Sequence, residues 1–271
     1  MGTDVNPGNL AFQRIAGSNY VDKTDLIRLM NARVDSSDCL VCVSRPRRFG
    51  KSYAVKMLTA YYDRSCNSHR LFDDKKIAKS ENYEKFLNQY NVICLDISGF
   101  ISEAKATLRP LVEVPQMIMR ALRDDLSLEY PELLECTTLN EALLSCVSLQ
   151  DGRPVVFIID EWDAMIREAR KDESAQTAYL NLLRGWFKNT NFTPRAVASA
   201  YMTGILPIKK DGSQSAISEF DEFTMLDARE FAEYAGFTEK EVKVCCAGAR
   251  AKFEEMKAWY DGYDFPSVGP V

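Results

Sequence analysis

The chain has 271 residues, 46% of them hydrophobic and 27% charged, and a formal net charge of −5. That length suits one large core or one domain with a small appendage, and the composition is that of an ordinary soluble globular protein rather than a disordered one. No apolar run reaches the ~20 residues of a membrane span, and the acidic balance gives no overall electrostatic footprint for nucleic acid, so any basic site must be local.

The N-terminus, MGTDVNPGNLAFQRIAG, has no basic stretch followed by an apolar one. A secretory signal is therefore not expected, and a cytoplasmic location is. Its Met-Gly start fails the myristoylation pattern at Asn6, where Ser or Thr is needed. The segment 18–38 reads as a short extended piece and then a helix, with Thr24 as N-cap and Asp25 favourably placed in the first turn. Nearly continuous apolar runs follow as CLVCV (39–43), VICLDI (92–97), VVFIID (155–160) and AVASAYMTG (196–204), with a weaker fifth, EFTML, at 222–226. Such runs belong to strands covered on both faces, which implies a mostly parallel sheet.

Helical periodicity lies between them, in YAVKMLTAYYD after the loop at 45–52, PLVEVPQMIMRALRDDL after the second run and TAYLNLLRGWFK before the fourth. In the first of these, Ala54, Val55, Leu58, Tyr61 and Tyr62 fall at helical spacing and would pack on the sheet. Strands alternating with helices predict an α/β fold with crossovers. Beyond residue 226 the pattern becomes helical, with a break at 236–238. This predicts a main domain over 1–226, including an N-terminal extension, and a small C-terminal helical subdomain over 227–271. The tail YDFPSVGPV shows no obvious terminal element and reads as a boundary before a further domain. The eight cysteines sit singly or in apolar runs, as reduced buried cysteines do. Cys39-x-x-Cys42, with His69 the one histidine and no second such pair, reads as two small apolar residues in a buried strand.

Residues 45–52, RPRRFGKS, satisfy the phosphate-loop pattern G-x-x-x-x-G-K-[ST] except at the first position, where Arg45 stands for glycine. The loop follows a strand and opens an amphipathic helix, so its backbone N–H groups and the helix N-terminus converge on a phosphate chain. The expected cradle is Pro46, Arg47, Arg48, Phe49, Gly50, Lys51, Ser52 and Tyr53. Lys51 would reach the β- and γ-phosphates, and the Ser52 hydroxyl would be a Mg²⁺ ligand. The missing glycine bears on the loop's entry conformation, for which Pro46 would compensate by presetting its own φ. VVFIIDE (155–161) is the matching Walker B pattern, with Asp160 on Mg²⁺ through water and Glu161 orienting or deprotonating the attacking water. Thr203, ending the fourth run before Gly204, would stand beside these acids as a γ-phosphate sensor if the strands are neighbours.

NYVDKTDLI, SRPRRFGKS, VVFIIDEWDAMI, AYMTGILPIKK and WYDGYDF occur in an order that resembles the predicted AAA-ATPase-like family of bacterial proteins, from about Asn19 to Phe265. The resemblance implies an additional-strand P-loop NTPase fold, in which 196–203 is inserted between the strands carrying the two nucleotide motifs. It also makes Arg45 a family trait. Members often continue into a nuclease-like domain, of which 227–271 shows no pattern.

Arg45, Arg47 and Arg48 suit nucleotide phosphates, a partner's phosphate, or ion pairs with Asp22 or Asp163. Arg184 and Arg195 are candidates for a trans-acting arginine, and Arg250, Lys252 and Lys257 for lid contacts, each with surface charge as the plainer alternative. Trp162 is expected near the site rim and Asp163 as a helix cap. The leading expectation is Mg²⁺-dependent ATP hydrolysis, with ATP and Mg²⁺ as cofactors, nucleotide as partner and a homo-oligomer compatible with it. An ATP-gated switch or scaffold with little hydrolysis is the alternative. A nucleic-acid module using the arginine loop is disfavoured by the net charge, and no membrane partner is expected.

Overall fold

A computed structural model describes residues 5–149, 152–208, 217–249, 251–259, 264–265 and 269–270. The expectations placed on Arg250 and on 260–263 lie outside these residues. Five parallel strands, β1 (Leu40–Ser44), β2 (Val92–Asp96), β3 (Val155–Asp160), β4 (Val197–Gly204) and β5 (Asp221–Phe223), form one sheet in the order β2-β3-β4-β1-β5. The fourth strand therefore lies between the first and third, as the resemblance implied.

One face is covered by α1 (Leu10–Ala16), α2 (Asp25–Asn31), α3 (Lys51–Tyr62), α4 (His69–Phe72) and α5 (Tyr83–Phe86). The other carries α6 (Ile97–Ala106), α7 (Val114–Glu129), α8 (Leu139–Leu149), α9 (Ala164–Glu168), α10 (Glu173–Phe187) and α11 (Thr193–Ala196). Alternate residues of each strand feed opposite cores. In β3, Val155, Phe157 and Ile159 face α6–α11, while Val156 and Ile158 face α3. That is why the strands read as unbroken apolar runs. In β4 the alternation slips by one residue at a bulge, where Val155 and Val156 pair with Val197 and Ser199. No helix among the described residues is long and apolar enough to cross a membrane.

Local details depart from the sequence reading. α6 starts directly after β2 because Asp96 caps it, accepting from the amides of Ser98 (3.0 Å) and Gly99 (3.2 Å). Thr24 does stand at the N-cap of α2, but without a capping bond. Its hydroxyl donates to Asp22 Oδ1 (2.6 Å), which also receives the Thr24 amide (2.9 Å). The fifth strand is three residues at 221–223 rather than five at 222–226, because a turn follows in which Thr224 N–H donates to the Asp227 carbonyl (3.0 Å). Residues 229–234 form a 3₁₀ rather than an α-helix, followed by α12 (Glu239–Ala249) and α13 (Phe253–Trp259). The tail read as featureless carries a short antiparallel pair, β6 (Asp264–Phe265) with β7 (Gly269–Pro270).

The helix that opens at Lys51 is anchored at its far end. Tyr62 Oη donates to Asn31 Oδ1 (2.7 Å), Asn31 Nδ2 donates to Tyr61 Oη (3.1 Å), and Tyr61 Oη donates to the Tyr83 carbonyl (2.8 Å). Both phenols are satisfied inside the core, as buried hydroxyls must be. Burial pushes the Tyr62, Tyr179 and Tyr201 phenols above their ordinary value and Tyr90 up to about 12. A phenol that ionises near pH ~10 when unfolded but stays neutral when folded contributes stability that is fully present below about that pH and is lost progressively as pH rises above it toward the raised folded value. The denaturation midpoint is expected to fall above pH ~10, with the ionisation of these buried tyrosines appearing together with unfolding. Their titration near pH ~10 in the still-folded protein would contradict the packing.

Candidate functional site

The C-terminal ends of β1, β4 and β3 lie side by side, and the segments leaving them build the site. β1 runs into the loop 45–50, and α3 begins at Lys51. Gly50, at the N-cap, has φ +77°, and a Cβ there would meet nothing within 4 Å, so backbone conformation rather than space calls for glycine. Arg48 takes the same left-handed region with φ +72° without being glycine. Such a residue costs of order 1–3 kcal/mol and tends to mark a functional loop.

Arg45 is fully buried. Its Nη1 donates to the carbonyls of Ser44 (3.0 Å) and Phe223 (2.8 Å), and its amide donates to the Gly204 carbonyl (3.0 Å). It braces β1 to the ends of β5 and β4 and is not among the residues lining the cavity described below. Lys51, 8% exposed, donates through Nζ to the carbonyls of Arg45 (3.0 Å) and Pro46 (2.8 Å). Burial lowers its pKa, while Asp160, Glu161 and Asp163 act to raise it.

On β3, Asp160 Oδ1 accepts from Thr203 Oγ1 (2.5 Å) and from the Glu161 amide (3.1 Å), leaving Oδ2 without a hydrogen bond from any described residue. Thr203 is fully buried and does not line the cavity. Its hydroxyl stands beside the acids that end β3, as the strand order predicted, and its partner there is Asp160. Glu161 turns sharply out of the strand with φ +52°, and its Oε2 accepts from Arg167 Nη2 (2.5 Å). Trp162 is wholly buried rather than at the rim. Its amide donates to the Thr203 carbonyl (2.9 Å) and its carbonyl accepts from Tyr179 Oη (2.9 Å). Asp163 occupies the N-cap position of α9 but makes no capping bond. Its Oδ2 accepts from Arg167 Nε (2.9 Å) and from the amides of Leu206 (2.9 Å) and Ile205 (3.3 Å).

A cavity of about 550 Å³ opens over the loop. Arg47, Arg48, Phe49, Gly50, Lys51, Ser52 and Tyr53 line it, with Glu161 also in its wall; Pro46 acts only through its carbonyl on Lys51. Ala54 and Met57 of α3 continue it, and further wall comes from segments the sequence reading did not assign to the site, with Asn19, Tyr20, Val21 and Lys23 from one and Tyr234, Gly236 and Phe237 from the other. They are tied in by distant contacts. The Gly236 amide donates to the Phe49 carbonyl (2.9 Å), and Lys23 Nζ donates to Glu241 Oε2 (2.5 Å) and to the Glu233 carbonyl (2.5 Å). Arg167 was also missed, although its i,i+4 spacing from Asp163 was a readable signal.

Other candidate cations stand apart from the cavity. Asp22 binds Thr24 and the Lys76 amide (2.9 Å), and Asp163 binds Arg167 (2.9 Å), rather than the loop arginines. Arg184 and Arg195 are exposed on α10 and α11. Lys252 pairs with Glu255 at the surface (3.0 Å), and Lys257 lies 6.0 Å from the Phe253 ring centroid.

A parallel sheet with this strand order and a glycine-lysine loop opening a helix at its C-terminal edge define a P-loop nucleotide-binding domain. The chain belongs to the AAA-ATPase-like family: the family model described as Predicted AAA-ATPase matches residues 8–213. No curated protein matches the sequence. Among solved structures, the ORC2 protein of Aeropyrum pernix, determined in ADPNP–ADP complexes, is similar at 11% identity with a TM-score of 0.45. The match covers 87% of this chain and 55% of that one.

Gly204 marks the tightest approach in the site. A Cβ there would lie 2.6 Å from Trp162 Nε1 and 2.9 Å from Asp163 Oδ1, both on buried side chains. Gly204→Ala is expected to destabilise the protein by about 1–3 kcal/mol in chemical denaturation, the usual cost of overpacking. An unchanged midpoint would show that Trp162 is not held against β4 as described.

Proposed function

We propose that this chain binds ATP with Mg²⁺ and hydrolyses it. The observation that carries the reading is the convergence of Lys51, from the segment after β1, with Asp160 and Glu161, from the end of β3, at the C-terminal edge of the sheet on either side of β4. Lys51, Arg47 and Arg48 set a positive wall, and Glu161 is the one acid among the described residues that line the same cavity. That charge distribution suits a triphosphate. Tyr20, Met57 and Phe237 add apolar surface to the wall, fit for a base.

The donor set fits Mg²⁺. Asp160 Oδ2 and the exposed Ser52 hydroxyl are hard oxygen donors, and among the described residues no group of three or more His, Cys, Asp or Glu is placed to hold a metal by itself. That is what an ion leaning on substrate phosphates and water requires. When bound, Mg²⁺ would neutralise charge on the phosphate oxygens.

In this reading Lys51 exchanges the Arg45 and Pro46 carbonyls for phosphate oxygens, and the loop amides hold the phosphate chain. Thr203 keeps Asp160 oriented, and Glu161 orients the attacking water. The engagement of Glu161 by Arg167 favours slow turnover by the isolated chain, the property of a nucleotide-gated switch.

ATP with Mg²⁺ is expected to raise the melting temperature of the wild type, and Lys51→Ala to abolish the shift. Glu161→Gln should retain nucleotide binding but lose about 10²-fold or more in turnover, the scale of a removed general base. Steady-state hydrolysis that survives this substitution would overturn the mechanism. The absence of any nucleotide-dependent shift in the wild type would overturn the binding site itself.

A further inference from the structure

Arg167 stands between two acids of unequal freedom. Asp163 is its fixed partner, with a fully buried side chain whose Oδ2, the oxygen bound by Arg167, also accepts from the Ile205 and Leu206 amides. Glu161 is the looser one, with a side chain 31% exposed and in the cavity wall. The guanidinium gives Nε to Asp163 and Nη2 to Glu161, and Nη1 has no hydrogen bond to a described residue. A planar fork held by one buried acid presents its remaining N–H groups in a set direction. Here that direction is the one Glu161 occupies, in the wall of the cavity that Lys51 also lines; Arg167 is not itself a lining residue and meets the cavity through Glu161.

An anion beside Lys51 that takes the place of the Glu161 carboxylate would therefore meet a second cation, Arg167, whose present partner is partly exposed. Phosphate oxygens offer the guanidinium the same bidentate geometry as a carboxylate with more charge. The fixed Asp163 contact survives the exchange, so Arg167 needs to move little.

We propose that Arg167 binds the terminal phosphate of a nucleoside triphosphate by displacing Glu161 from its guanidinium, so that the Glu161 carboxylate becomes free to orient water only when a triphosphate is bound. The inference rests on the nucleotide reading above and adds a residue that distinguishes triphosphate from diphosphate. A diphosphate has no oxygen at that position and leaves the Arg167–Glu161 pair in place.

The test is equilibrium calorimetry on the full chain with Mg²⁺, comparing a non-hydrolysable ATP analogue with ADP. Arg167→Ala is expected to weaken the analogue by about tenfold or more, the scale of a lost charge-assisted hydrogen bond, and to leave ADP within about twofold. Glu161→Gln, which removes the competitor, should tighten the analogue but not ADP, and this gain should vanish in the double variant. An analogue-to-ADP ratio unchanged by Arg167→Ala would overturn the proposal. So would a Glu161→Gln gain that persists without Arg167, since that is simple relief of charge repulsion.

Should Arg167→Ala fail to fold by circular dichroism, Arg167→Lys serves instead. One ammonium cannot span Asp163 and a phosphate as the fork does, so the same selective loss is expected, and an unchanged ratio is again fatal. Wild-type protein that binds neither nucleotide would overturn the nucleotide reading itself, whereas normal wild-type binding with an unchanged ratio in the variants removes only the role of Arg167.

Discussion

The register of β4 between β1 and β3 is the constraint on which the site depends. Val43 pairs with Thr203 on one side, and Ile159 pairs with Met202 on the other, so the strands end together. Only because Thr203 ends beside Asp160 can its hydroxyl orient that carboxylate at 2.5 Å. A slip of one residue would turn every side chain of β4 to the opposite core and take Thr203 away from Asp160. The bulge at the start of β4 lies at the opposite end of the strand from the site, so the irregularity is absorbed where it costs no function.

Around that edge the structure places several charged groups in low exposure, each with specific partners. Arg45, Lys51, Asp160 and Asp163 are all buried. Arg45 and Lys51 donate to backbone carbonyls at the ends of strands and in the loop, while Asp160 and Asp163 accept from backbone amides and from Thr203 or Arg167. Buried charge is tolerable on these terms because the partners are fixed dipoles and opposite charges. The close packing of Gly204 against Trp162 and Asp163 keeps the segment after β4 on this network, and Asp163 joins that segment to Arg167. A change at the cavity therefore has a short physical route to residues 205–206.

Much of the fold was legible because its signals are local. Strands covered on both faces leave continuous apolar runs, and the helix after the loop shows its apolar spacing directly. The α6 start was missed although Asp96 is a readable cap, because the strand pattern and the cap share one residue. Arg45 could not be assigned, since a buried brace and a phosphate ligand ask for the same residue type at that position. The walls formed by Asn19–Lys23 and Tyr234–Phe237 were not legible at all, because nothing in either segment signals that a chain more than 200 residues away will close on it, as the Lys23 bond to Glu241 (|i−j| of 218) does.

By itself the sequence determined the residue types and their local settings: a glycine-lysine-serine at a helix start, two acids at the end of a buried strand, and a threonine-glycine pair at the end of another. These follow from short-range physics, namely backbone conformation, periodicity and the cost of ending a buried strand in charge. Tertiary structure alone decided which of these groups meet. It turned Arg45 inward, gave Thr203 to Asp160 rather than to the cavity, and set Arg167 between Glu161 and Asp163. Those outcomes depend on strand order, register and packing across the sheet, which are set by contacts between residues far apart in the chain.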